Sequence, residues 1–157
     1  MILQLLSSTD GNNRNNRSIT FSAIWNWFLI RQNSVILTQM ENYKPGLPFD
    51  VTLEIFETVV DQHPHVILDF WAEWCKPCKV FEPAFAIMAE LHPQVFFGKV
   101  NVEVAKDLAE AFQVRSIPTL MAFKNGELVF EQPGILPAEH FQKLVEKLQE
   151  PKLESPE

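Results

Sequence analysis

Cysteine is nearly absent from this 157-residue chain, which carries only Cys75 and Cys78. Two thiols cannot staple a small secreted scaffold, and no second cysteine pair is present to complete a zinc knuckle. No apolar run reaches the roughly twenty residues that a bilayer-crossing helix needs, which excludes a multi-helix membrane protein. Basic residues are also scarce: 13 Lys and Arg stand against 20 Asp and Glu, a formal net charge of −7. Phosphate contacts need clustered cations, so nucleic acid is not an expected partner. Apolar residues are plentiful: 46% of the chain is hydrophobic and 13 residues are Phe. That is enough for one globular core and too much for general disorder.

The chain divides at Met40. Residues 1–39 have no proline, one acid (Asp10) and three arginines, and they hold the Asn/Arg-rich stretch Gly11 to Arg17. Ile19 to Ile30 is an apolar run, but no small-x-small cleavage site follows it and Asn26 interrupts it. Residues 1–39 therefore read as a disordered tail or an over-extended start, with an export or anchoring segment as the alternative. Residues 40–157 hold all 11 prolines and all four histidines. They read as one domain, 40–150, with a frayed tail at 151–157, and as a cytoplasmic monomer; anchoring through residues 1–39 would make the protein exported instead.

Within the domain, Thr52 precedes an apolar pattern at helical spacing, Leu53, Ile55, Phe56, Val59 and Val60, broken by His63-Pro64-His65. Val66 to Trp71 is an apolar run interrupted only by Asp69, the pattern of a strand buried on both faces. After Cys75-Lys76-Pro77-Cys78 a helix is expected through Val80, Phe81, Phe85, Met88, Ala89 and Leu91, with Pro83 kinking it. Val95 to Val102 reads as a second buried strand, and Val104 to Phe112 as a helix. Thr119 to Phe123 and Leu128 to Phe130 read as strands joined by the hairpin dipeptide Asn125-Gly126. Pro137 opens a last helix with Phe141, Leu144, Val145 and Leu148 on one face. This order predicts an α/β fold: a mixed central sheet with helices on both faces.

The chemistry concentrates at the two cysteines. Cys75 falls where a buried strand gives way to a helix, so the free amides and dipole of the first turn favour its thiolate. Pro77 fits the first turn, where its missing N–H costs nothing. Three residues on, Cys78 can attack a mixed disulfide formed by Cys75, which suits a two-step thiol–disulfide exchange. Half of a zinc site is a weaker reading, since His63 and His65 lie before a strand with no evident route to the thiols. Two inert buried thiols are the other alternative, opposed by Glu73, Lys76 and Lys79, which point to an accessible setting.

Asp69-Phe70-Trp71-Ala72-Glu73-Trp74-Cys75-x-Pro77-Cys78-Lys79 resembles the active-site segment of the thioredoxin family. Ile117-Pro118-Thr119 with Lys124-Asn125-Gly126 resembles that family's cis-proline loop and hairpin. The resemblance spans about residues 48–150. It implies the thioredoxin fold and a protein-disulfide reductase, a dithiol electron carrier in which Cys75 attacks, Cys78 resolves, and the two form a reversible disulfide. It implies protein disulfides as substrates, a flavoprotein thioredoxin reductase as electron donor, and neither metal nor cofactor. Asp69 matches the buried acid that helps deprotonate the resolving thiol, a role suited to a carboxyl whose pKa burial raises. Lys99 matches the lysine of the neighbouring strand, so an Asp69–Lys99 ion pair is the structural alternative for that acid. Pro118 matches the cis-proline. Trp74, Lys76, Pro77, Ile117 and Gly134 fall on the shallow surface that docks substrate, whereas Trp71 reads more simply as core packing.

Three residues depart from the family pattern. Lys76 stands where glycine is usual between the cysteines, Ser116 where glycine commonly precedes Ile-Pro, and Pro133 where a small aliphatic residue commonly precedes Gly134. They bear on partner choice, including the reductase, and leave the exchange chemistry untouched. A binding or chaperone-like module on the same fold, with redox turnover secondary, is the alternative function.

Overall fold

The computed structural model describes Ile36 and residues 38–151. The expectations for the N-terminal extension, apart from residues 36, 38 and 39, and for the tail beyond Pro151 lie outside the described residues. The elements run β1 (Phe49–Asp50), α1 (Leu53–Gln62), β2 (His65–Trp71), α2 (Lys76–Leu91) and β3 (Phe96–Asn101). There follow α3 (Lys106–Ala111), β4 (Thr119–Lys124), β5 (Glu127–Pro133) and α4 (Ala138–Gln149). The five strands form one sheet in the order β1-β3-β2-β4-β5. β3 pairs in parallel with both β1 and β2, and β4 is antiparallel to β2 and β5.

The apolar runs occupy the middle of the sheet, where both faces are covered. Alternation along β2 sends Val66, Leu68 and Phe70 to one core, with Ile55 and Val59 of α1 and Leu108 of α3. Ile67 faces the other core, built with Phe81, Phe85 and Met88 of α2 and Phe141, Val145 and Leu148 of α4. By the same alternation Asp69, two residues beyond Ile67, belongs on the α2 side. Ile36, Met40 and Tyr43 pack against the first core.

Four details differ from the sequence pattern. The two-residue strand β1 has no periodicity to show and exists through its pairing with Gly98 and Lys99. β5 continues to Pro133, three residues past its apolar stretch, because an edge strand needs only one paired side. α3 is shorter than expected, starting at Lys106 rather than Val104, with Val104 left exposed. Thr52 does sit at the N-cap of α1, but its hydroxyl makes no cap hydrogen bond. The hairpin follows its dipeptide closely: Asn125 and Gly126 both have positive φ, 52° and 81°, the backbone of a type I′ turn.

Gly98 is closely enclosed by side chains of the first core. A Cβ there would lie 2.5 Å from Leu68 Cδ2 and 2.7 Å from Val51 Cγ2. Leucine can rotate away, but β-branched Val51 is stiff and itself tied to β3 by its N–H to Lys99 O, 2.8 Å. Gly98→Ala is therefore expected to lower stability by about 1–3 kcal/mol. The measurement is the urea midpoint at constant m-value, and an unchanged midpoint would mean the contact relaxes without cost.

Candidate active site

The end of β2 and the start of α2 create the site. Cys75 is the N-cap residue of α2, and its Sγ accepts a hydrogen bond from the Cys78 N–H at 3.2 Å. The two cysteines are joined as a disulfide, with Cα atoms 5.3 Å apart. No acid lies in the first turn of α2, so nothing there opposes negative charge on the Cys75 sulfur. Lys76 and Lys79 bring positive charge to that turn, although Lys79 is paired with Glu73 at 3.3 Å. The flanking residues Glu73, Trp74, Lys76, Pro77 and Lys79 are exposed, as their types imply. The cysteines themselves are not: Cys75 is 3% and Cys78 2% accessible. Ala72 packs directly on the disulfide, with Trp71, Val102 and Ile117 around it. The expected accessible setting therefore holds for the rim and not for the sulfurs.

Asp69 is 1% accessible, and neither of its carboxylate oxygens has a hydrogen-bond partner. Burial pushes its pKa up to about 7, against the pull of Lys99 and with a further push from Glu82. The parallel register sets Lys99 beside Asp69, yet the ion pair anticipated between them does not form. The Lys99 ammonium instead bonds Glu82 Oε1 of α2 at 2.5 Å and lies 4.2 Å from the centroid of the Trp71 ring. The long lysine stem carries the charge past its strand neighbour to the exposed Glu82, where a second carboxylate is available. Trp71 is more than core packing: it is half-buried beneath that cation, with its indole N–H unpartnered.

The opposite wall is the loop before β4. The Ile117–Pro118 peptide bond is cis. Pro118 is buried, and its carbonyl accepts from the Gly134 N–H at 2.7 Å. Gly134 holds φ +86°, a left-handed conformation that explains glycine at this position. Thr119, also buried, donates its hydroxyl to the Ser116 carbonyl at 2.7 Å. Because Ser116 serves through its backbone and has no positive φ, serine can replace the usual glycine there. Ile117 is half-buried against the disulfide, and its own backbone groups bond to no other backbone group among the described residues. Trp74, 66% accessible, stands on the rim with Lys76, Pro77 and Gly134.

The register explains how residues far apart in sequence meet: Phe70 of β2 pairs with Thr119 of β4, and Asp69 with Leu120. Glu82 was not singled out by sequence pattern. The available signal was its spacing, four residues after Cys78 on a helix and so on the same face. His63 lies elsewhere, at the end of α1 against Tyr43 and Phe96, with ring centroids 5.3 and 4.7 Å away. Among the described residues no group of three His, Cys, Asp or Glu side chains is placed to hold a metal ion.

Residues 48–147 match the family model described as Thioredoxin. A Streptomyces coelicolor protein with a thioredoxin-type name is 48% identical over 88 residues, spanning 56% of this chain and 66% of that one. Among solved structures, a mutant thioredoxin from Halobacterium salinarum superposes with TM-score 0.65 at 31% identity, covering 71% of this chain and 98% of its own. A chain from a complex of ferredoxin:thioredoxin reductase with thioredoxin f2 superposes with TM-score 0.63 at 25% identity, covering 69% and 100%.

Proposed function

This chain belongs to the thioredoxin family and its domain is a thiol–disulfide oxidoreductase, and we propose that it works as a reducing carrier toward protein disulfides, with roles assigned as follows. The Cys75 thiolate attacks one sulfur of a substrate disulfide. That S–S bond breaks, one substrate thiolate leaves and takes up a proton, and Cys75 is held in a mixed disulfide. Cys78 then gives its proton to the Asp69 carboxylate and attacks Cys75 Sγ. The second substrate thiolate leaves, and the Cys75–Cys78 disulfide closes. Two electrons have passed from the dithiol to the substrate.

The observation that carries this reading is the pairing of Cys75 and Cys78 at the start of α2, on the same side of the sheet as an unpartnered buried acid. Trp74, Pro77, Ile117 and Gly134 would form the docking surface, with the free Ile117 backbone pairing an extended substrate segment as an added strand. Exposed Lys76 would favour an acidic residue near the substrate cysteine. We assign the electron donor to the flavoprotein thioredoxin reductase class, as the sequence resemblance implies; the ferredoxin-linked complex of one structural neighbour marks the rival donor class.

The test is coupled turnover: insulin disulfides, the full chain, a flavoprotein thioredoxin reductase and NADPH. Sustained NADPH oxidation that depends on this protein is the expected result. Turnover only with reduced ferredoxin and its reductase would overturn the donor assignment, and turnover with neither would overturn the carrier role.

A further inference from the structure

The buried acid of this site has a lysine beside it in the sheet and makes no bond to it. The Lys99 ammonium is held from two sides, by Glu82 Oε1 at 2.5 Å and by the Trp71 ring at 4.2 Å, while both Asp69 oxygens stay unpartnered. Lys99 is largely covered, with 11% of its side chain accessible, whereas Glu82 is 55% accessible. We propose that Glu82 is a positioning residue, which draws the Lys99 ammonium off Asp69 and so preserves the buried carboxyl as an exchangeable proton carrier rather than one arm of a permanent ion pair.

The charged and titratable groups on the elements packed around Asp69 support this arrangement. Lys99 comes from β3, Glu82 from α2, and Cys75 and Cys78 from the start of α2; β4 sets apolar Leu120 opposite. Among the described residues Lys99 is the cation that acts on Asp69, while Lys76 and Lys79 of the same turn of α2 are exposed. An ammonium that close, released toward a carboxylate, favours the ionised form by about one to three pH units. A paired, ionised Asp69 would be a poorer match to a thiol proton near neutral pH, because proton exchange is most effective when the carrier titrates near the working pH. Glu82 acts on this balance twice, by its own charge and by where it holds the lysine, and the two contributions are separable.

The experiment follows the Asp69 carboxyl by carbon NMR through a pH titration of the oxidised full-length protein. The set is wild type, Glu82→Gln, Lys99→Met and the double variant; Lys99→Met keeps most of the apolar stem. Glu82→Gln is expected to lower the titration midpoint by about one to two pH units. In the Lys99→Met background the same substitution is expected to shift it by less than half as much. An unmoved midpoint in Glu82→Gln overturns the proposal. So does an equal shift in both backgrounds, which would leave Glu82 acting by its charge alone. Glu82→Asp, which keeps the charge, is expected to restore most of the midpoint.

The proposal rests on the proton-transfer role of Asp69 only for its consequence in turnover, which a second readout isolates. The pH midpoint for closure of a Cys75 mixed disulfide is expected to move with the carboxyl midpoint. If the carboxyl midpoint moves and the closure midpoint does not, the positioning of Lys99 stands and the proton-transfer role of Asp69 falls.

Discussion

Replacing Cys75 with serine is expected to reduce insulin-disulfide turnover by at least about 1,000-fold, because no other thiol can form the first mixed disulfide. Cys78, in the first turn of α2, is covered as closely as Cys75, and it is not expected to substitute because the Cys75 sulfur is the one that the turn's amide hydrogen bond stabilises as a thiolate. Cys78→Ser should behave differently. Its Cys75 still attacks, so each protein molecule releases one substrate thiol and stops, trapped as a covalent adduct. Mass spectrometry of the quenched reaction separates the two variants: adduct for Cys78→Ser, none for Cys75→Ser. Adduct formation on Cys78 in the Cys75→Ser variant would reverse the assignment. The order of attack follows from the helix, since the N-cap sulfur is the one that receives an amide hydrogen bond.

Asp69→Asn is the second change with a large expected effect, and its sign depends on pH. The Asp69 pKa rises from 3.8 to about 7 in the folded protein. Between those values the folded chain binds a proton that the unfolded chain has released. The contribution of Asp69 to stability is therefore greatest below the unfolded value, falls as pH rises to about 7, and is level above it. A shift of about three units corresponds to about 4 kcal/mol between the two ends. Asparagine removes that dependence while leaving a buried amide that costs about 1–3 kcal/mol itself. At pH 8 the variant should be about 2 kcal/mol more stable than the parent, with the advantage shrinking toward pH 5. Urea midpoints of both proteins across that range check it, and parallel curves would show that the carboxyl does not titrate with folding. Turnover should move the other way: Asp69→Asn is expected to slow closure of the mixed disulfide by about 100-fold or more and to remove the rise in its rate near pH 7. A residue that lowers stability and raises rate is serving the reaction.

Much of the molecule was legible in the residues because its central strands are continuous apolar runs. Val66 to Trp71 and Thr119 to Phe123 read as buried strands, and Asn125-Gly126 marks the hairpin that joins the second of them to β5. The resemblance carried further still, to Pro118 and Gly134, which no periodicity would reveal. What stayed hidden has a physical reason in each case. Phe49–Asp50 becomes a strand only when β3 is there to pair with it. The burial of Cys75 comes from Ala72 of its own loop and from Val102 and Ile117, which approach it from two other segments. The resemblance set Lys99 beside Asp69 and the strand register agrees, but register constrains Cα atoms and not a four-carbon stem that reaches Glu82 instead.

The pairing of Phe70 with Thr119 and of Asp69 with Leu120 has a consequence for where the activity resides. The two sulfurs lie within four consecutive residues, and an excised peptide from Trp74 to Lys79 would keep both. It would lose Asp69 at the end of β2, and with β2 the pairing that brings Lys99 of β3 and the proline loop before β4 to the same end of the sheet. The dithiol is a local possession of the sequence, but its reactivity belongs to the folded sheet.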